Sequence, residues 1–309
     1  LSEPLEEGLR FKPGEAPESY RVIGVDGSHL ETEKDFYPWV EIINVGKVLI
    51  EYGDEPYAII ESEPFISIEK EERFPGYTGV KRMVKEVEVL LSFLKENRKN
   101  IKTLCLLDGS LILWTLSGKG VPEEERRRFI LQGLLPCLDE LENSGTLLAS
   151  YISLPRTKEV ANLLRINICP YSPPDCDKYC RFSERKCDEL SGIEDREIFS
   201  KILENGERST TFRSLSPIVT KYYGKHQINF FYIKFEDEVG RVEFPSWCSP
   251  HEIHALILEE LKKGMGYPIP LLEAHEEAFI RREEVIRFLE EHLDIKFSSK
   301  ERAKRARWI

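Results

Sequence analysis

Two aspartates close two matching phrases. Val22-Ile23-Gly24-Val25-Asp26-Gly27-Ser28 and Leu104-Cys105-Leu106-Leu107-Asp108-Gly109-Ser110 are each an apolar run ending in Asp-Gly-Ser. The apolar, partly β-branched runs read as buried strands, and Gly-Ser after the acid reads as a turn. Either phrase alone is an ordinary strand ending. Together they predict two carboxylates at the ends of two strands that can lie side by side in one sheet. Such a pair is suited to a divalent metal ion bound through hard oxygen ligands.

A third acid lies between them. On a helix of about 3.6 residues per turn, Met83, Val84, Val87, Leu90, Leu91 and Leu94 share one face. Glu86 sits at one edge of that apolar arc, beside Met83, Leu90 and Phe93. Glu88 sits at the other edge and is the more exposed of the two. A carboxylate turned inward needs a partner, either a metal ion or a cation such as Arg82 one turn back. His275, in Glu273-Ala274-His275, is a helix histidine that can serve as an ordinary structural residue, as a ligand, or as a proton carrier near neutral pH.

Other candidate motifs fail on spacing. His251-Glu252-Ile253-His254 places its histidines at i and i+3, not the i and i+4 of a His-Glu-x-x-His zinc site. Ser117-Gly118-Lys119-Gly120 contains a Gly-Lys pair, but Leu113 and Gly120 stand where a phosphate loop needs Gly and Ser or Thr. No ATP site is therefore expected. No Gly-x-Ser-x-Gly nucleophile elbow occurs either. Four of the seven cysteines, Cys169, Cys176, Cys180 and Cys187, crowd into one Pro-bearing stretch. In a cytosolic chain this suggests metal before disulfides. Zn²⁺, a [4Fe–4S] cluster and simple reduced thiols all remain open, because the short Cys-x-x-Cys knuckle of a zinc ribbon is missing.

The positioning elements follow from periodicity and turn signals. Residues 1–19 read as a polar arm, 20–26 as the first strand, and 39–45 with 48–52 as a hairpin turning at Gly46-Lys47. A further strand is expected near 57–60, then a helix over 79–97 and a strand over 103–108. Next come a helix over 123–142 bent at Pro136, a strand over 147–153 and a short helix over 157–165. Beyond the Cys-rich insertion at about 166–190, a helix is expected over 195–204 and strands over 227–235 and 240–244. Helices over 250–263 and 272–292 follow, then a basic tail over 296–309. The chain has 309 residues, a formal charge of −11 and no apolar run of the ~18 residues that span a membrane. No signal peptide is visible, and a cytoplasmic protein is expected. The acidity disfavours generic nucleic-acid binding. Basic clusters such as Arg126-Arg127-Arg128, Arg281-Arg282 and the tail from Lys296 to Arg307 remain as local strips for DNA or as solvated helix faces.

An acid on the first strand, one on the first helix and one on the fourth strand is the arrangement of the ribonuclease H-like fold. With Gly206-Glu207-Arg208-Ser209, Phe230-Phe231-Tyr232, Arg241-Val242-Glu243-Phe244-Pro245 and Gly266-Tyr267-Pro268-Ile269-Pro270-Leu271-Leu272-Glu273-Ala274-His275, the chain resembles the NurA nucleases. These are prokaryotic DNA-end-processing enzymes that work with the hexameric ATPase HerA. The resemblance implies an α/β fold with a mixed central sheet flanked by helices, spanning residues 20–295. It implies a catalytic set of Asp26, Glu86, Asp108 and His275, with Glu88 as the alternative to Glu86. It also implies Mn²⁺ (or Mg²⁺), two-metal phosphodiester hydrolysis with Asp26 bridging the ions, single-strand endonuclease and 5′–3′ exonuclease activity, a homodimer and a HerA-like partner. His29 and Leu111 stand where the family usually carries Arg or another polar residue after Asp-Gly-Ser, and the Cys-rich segment is not a general feature of it. A non-catalytic DNA clamp and a metal-cluster sensor are the alternatives from other functional classes.

Overall fold

The computed structural model describes residues 1–31, 39–69, 73–180 and 185–292. Strands β1 (Ser2–Pro4) and β2 (Arg10–Phe11) are short. Strands β3 (Tyr20–Glu31), β4 (Trp39–Tyr52) and β5 (Tyr57–Glu69) form an antiparallel meander. Helix α1 (Tyr77–Glu96) then crosses to β6 (Thr103–Asp108), which runs parallel to β3. Helix α2 (Glu123–Arg127), a π-helical stretch (Arg128–Leu134) and helix α3 (Leu135–Ser144) cross to β7 (Leu147–Ile152), parallel to β6. Helices α4 (Glu159–Asn167), α5 (Cys176–Tyr179) and α6 (Asp195–Ile202) precede β8 (Arg208–Ser209), β9 (Phe212–Ser214), α7 (Pro217–Tyr222), β10 (Ile228–Phe235) and β11 (Glu238–Pro245). Helices α8 (Pro250–Lys263), α9 (Ile269–Ala278) and α10 (Arg282–His292) follow. The sheet order is β1-β9-β10-β11-β7-β6-β3-β4-β5, with β2 paired to β8 and β8 to β10. Counted from β3, β6 is the fourth strand of a mixed, helix-flanked sheet of the ribonuclease H-like kind. No described helix is long and apolar enough to cross a membrane.

The central strands are continuous apolar runs because both sheet faces are covered. Val22, Ile23, Val25, Leu104, Cys105 and Leu106 are fully buried. Several sequence expectations give way to longer-range packing. Gly46-Lys47 is not a turn: β4 runs straight through it, and Gly46 pairs with Asp26. Asp26-Gly27-Ser28 does not end its strand, since β3 continues to Glu31. The second phrase behaves as expected, with β6 ending at Asp108 and Gly109 turning at φ 89°. The meander's third strand is much longer than 57–60, and Pro64 suits its place at the sheet edge although Ile60, Ile66 and Ile68 are exposed on it.

The helix expected over 123–142 is irregular before Pro136 rather than at it, and Pro136 sits harmlessly in the first turn of α3. The helix expected over 272–292 starts earlier and is two helices. Helix α9 stops at Ala278, where Ser28 Oγ donates to Ala278 O and Asn44 Nδ2 to Glu277 O, so the sheet itself takes up the terminal carbonyls. The presumed arm is tied into the sheet through β1 with β9 and β2 with β8. The basic tail lies outside the described residues.

Candidate metal centre

Parallel pairing of Val25 with Leu107 brings Asp26 and Asp108 next to each other. Strand alternation turns Gly24, Asp26 and Ser28 toward the face that α9 covers. The helix lies on the sheet without intervening side chains. A Cβ at Gly24 would fall 2.5 Å from Pro270 O, and one at Gly46 would fall 2.0 Å from Ala274 O. This close approach delivers His275, whose Nδ1 is 2.7 Å from Asp26 Oδ2. The other oxygen of Asp26 accepts from Gly27 N–H at 2.8 Å. Asp26 is buried, whereas the His275 side chain is 66% exposed and so faces solvent beyond the acid. Asp108 Oδ1 accepts from Tyr267 Oη at 2.8 Å, and Tyr267 packs edge-on against Tyr151. Ligand atoms from Asp26, Asp108 and His275 all lie within 4.8 Å of one another.

Glu86 approaches from α1 and is 3% exposed. Gly27 makes room for it: a Cβ there would lie 2.5 Å from Glu86 Oε1. Arg82, one helical turn back, places Nη1 2.8 Å from Glu86 Oε1 and 3.7 Å from Asp26 Oδ1, and also donates to Gly27 O. The Arg82–Glu86 ion pair considered from sequence therefore exists, but it is buried beside the two aspartates instead of lying on the surface. Glu86 Oε1 has no aligned hydrogen-bond donor. Burial pushes the Glu86 carboxyl up to about 8; Arg82 opposes this, and the charges of Asp26 and Asp108 add to it. Burial, then the charge of Asp26, raise Asp108 as well, against the hydrogen bond from Tyr267. Glu88 is turned away, its side chain 40% exposed and paired with Lys85.

Three crowded carboxylates, one guanidinium and an imidazole leave excess negative charge and an undonated buried oxygen. A divalent cation is the group that such an oxygen-rich set fits. Arg82 and Tyr267 are members of this cluster that sequence reasoning did not single out for the site. The signals were present, because Arg82 precedes Glu86 by four residues and Tyr267 lies in the Gly-Tyr-Pro phrase before His275. A second group with metal-ligand spacing, Asp139, Glu142 and His226, is already neutralised by Lys225 Nζ at 2.7 and 2.8 Å from the two carboxylates. His254 is buried against Gly206 O, and burial holds its pKa down to about 4. It is a structural residue of α8.

Comparison with known proteins bears on this arrangement. The family model for the NurA domain matches residues 20–280. Among solved structures, the NurA nuclease from Sulfolobus solfataricus is 15% identical with a TM-score of 0.57, over 96% of this chain and 89% of that one. A NurA crystallised with manganese is 12% identical with a TM-score of 0.50, over 93% of this chain and 92% of that one. At these identities the structural matches speak for the fold alone. The sequence matches none of the curated proteins.

Proposed function

The chain belongs to the NurA domain family, and on that premise we propose that it is a divalent-metal-dependent DNA nuclease centred on Asp26, Glu86, Asp108 and His275. The observation that carries this reading is the convergence of Asp26, Asp108 and His275, whose ligand atoms lie within 4.8 Å of one another, while Glu86 lies outside that group, close enough for the charges of both aspartates to act on it. Asp26, Glu86 and Asp108 would hold the metal, with Mn²⁺ favoured because a structurally similar NurA was crystallised with it. A bound divalent ion supplies Lewis acidity toward a phosphodiester and lowers the pKa of bound water.

The chain's own residues do the rest. Gly27 N–H and His275 fix the two oxygens of Asp26, so that carboxylate is oriented before any ligand arrives. Tyr267 orients Asp108 in the same way. Nδ1 of His275 is engaged with Asp26 Oδ2, which leaves Nε2 as its second ring nitrogen. Nε2, on the solvent-facing residue, is the atom placed to accept a proton or to ligate. Arg82 offsets part of the charge of Glu86 and leaves a net negative site.

The finer reading follows the family: single-strand endonuclease and 5′–3′ exonuclease activity in DNA-end processing, two divalent ions that Asp26, Glu86 and Asp108 would hold, a homodimer, and a HerA-like hexameric ATPase as partner. Digestion of a plasmid and of end-labelled single strands across Mg²⁺, Mn²⁺ and EDTA tests the activity. The Asp26→Ala protein, shown folded by circular dichroism, should cleave at least a hundredfold more slowly. Cleavage at the wild-type rate would place the site elsewhere. Light scattering that returns a monomer, both alone and mixed with the ATPase, would refute the assembly.

A further inference from the structure

Among the described residues between α4 and α6, the contacts are mostly local hydrogen bonds and a weak ion pair from Arg165 to Asp188 rather than the apolar packing of the rest of the fold. None of the described residues from 162 to 194 is buried. A segment of this length with no apolar core cannot offset the entropy of ordering its backbone. Its visible anchors are slight. Arg165 Nε donates to Cys187 O at 3.2 Å, Asp175 caps α5 through Lys178 N, and Tyr171 stacks on Tyr179. Yet Cys169, Cys176, Cys180 and Cys187 all line one cavity of about 200 Å³. All four are free thiols.

We propose that these four cysteines hold one [4Fe–4S] cluster that staples this segment to α4. Two observations favour a cluster over a single ion. Among the described residues, no three of the four sulfurs lie within 4.8 Å of one another. Tetrahedral zinc, at about 2.3 Å per Zn–S bond, needs its sulfurs about 3.8 Å apart. A cubane spreads its four thiolates over its corners and accepts the wider set. The cavity also exceeds what one ion needs, at about 200 Å³ against roughly 30 Å³ for a single water. Arg185 and Lys186 stand in the cavity wall, where cations offset the charge that four thiolates bring.

The binding step balances without a redox partner. A [4Fe–4S]²⁺ core exchanges one labile water ligand on each iron for a cysteine thiolate, forming four Fe–S(Cys) bonds; the four waters and four thiol protons go to solvent, and the product carries a charge of 2−. The folding free energy that the apolar core does not supply comes from those bonds.

The full chain, purified anaerobically and reconstituted with equal amounts of ferric and ferrous iron and with sulfide, should contain about four irons and four acid-labile sulfides per chain. It should show a broad visible absorption that dithionite bleaches. The Cys176→Ser/Cys187→Ser protein should lose both, and limited proteolysis should then cut within 168–194 many times faster. Cys137→Ser, at a cysteine far from the cavity, should keep the cluster. Removing iron from the wild-type protein with a chelator, an arm independent of how the serine variant folds, should by itself open the segment to protease. Less than about one iron per chain after reconstitution, one zinc without sulfide, or two disulfides in the anaerobic protein would each overturn the proposal. None of these readouts depends on nuclease activity.

Discussion

Replacing Glu86 by Gln isolates the electrostatic cost built into the metal-free site. In the folded, ligand-free protein the carboxyl holds its proton up to a pH of about 8, against 4.5 for the ordinary group. Its contribution to stability is therefore fully present below about 4.5 and is lost as pH rises through about 8. At about 1.4 kcal/mol per pH unit, the whole interval sets a ceiling of about 5 kcal/mol. His254 works the other way. Held neutral down to about 4, it makes stability rise with pH until about 6.5, so the raw profile mixes two signs. The difference between the wild-type and Glu86→Gln proteins removes that term, since both share His254. Urea unfolding in EDTA should give nearly equal stabilities at pH 5, where the protonated acid and the amide are alike. From pH 5 to pH 8 the wild-type protein should fall behind by about 3–4 kcal/mol, about 2 kcal/mol of it between pH 6.5 and 8. Saturating Mn²⁺ should close most of the gap, since ligand at a hundred times its Kd returns about 2.7 kcal/mol to the protein that binds it. If the difference does not grow between pH 6.5 and 8, Glu86 is not the crowded, neutral acid described here.

Other outcomes follow from single contacts. Gly46→Ala puts a methyl group 2.0 Å from Ala274 O, so α9 must lift from the sheet. Stability should fall by about 2–3 kcal/mol and cleavage should fall with the displaced His275; an unchanged Tm would refute the tight helix–sheet contact. Glu6→Ala strands the fully buried Arg208, which Glu6 holds through bonds of 2.7 and 2.8 Å. About 2–3 kcal/mol should be lost, less than for a fully buried pair because Glu6 is partly exposed. Burial acts to raise Glu6, but hydrogen bonds from Arg208 and Thr211 outweigh it and hold the acid at about 2. The wild-type advantage over this variant should therefore persist above about pH 4.5 and vanish toward pH 2, read by acid titration of both. Tyr267→Phe removes the donor to Asp108 Oδ1 at a stability cost of about 1 kcal/mol. The acid limb of the rate–pH profile should move upward, and an unmoved limb would separate Tyr267 from the site.

The order of chemical groups along the chain was legible without a structure. Apolar runs ending at Asp26 and Asp108 announced two buried strands, and the arc around Glu86 announced a helix carrying an acid inward, because hydrophobic periodicity is a local property. The sequential phrases up to His275 pointed to the family for the same reason. What lay beyond reach was every feature set by residues far apart in the chain. Gly46 looked like a turn and is a flat place on which α9 rests. Gly27 looked like a strand breaker and is the gap that admits Glu86. The split between α9 and α10 depends on Ser28 and Asn44 reaching the last carbonyls of α9 from some 230 to 250 positions away. The same holds for Arg82 and Tyr267, ordinary surface types in sequence that become parts of the site once burial removes water from the acids they touch. A glycine's role or a carboxyl's affinity for its proton is decided by which atoms arrive within a few ångströms, and only tertiary packing brings them there.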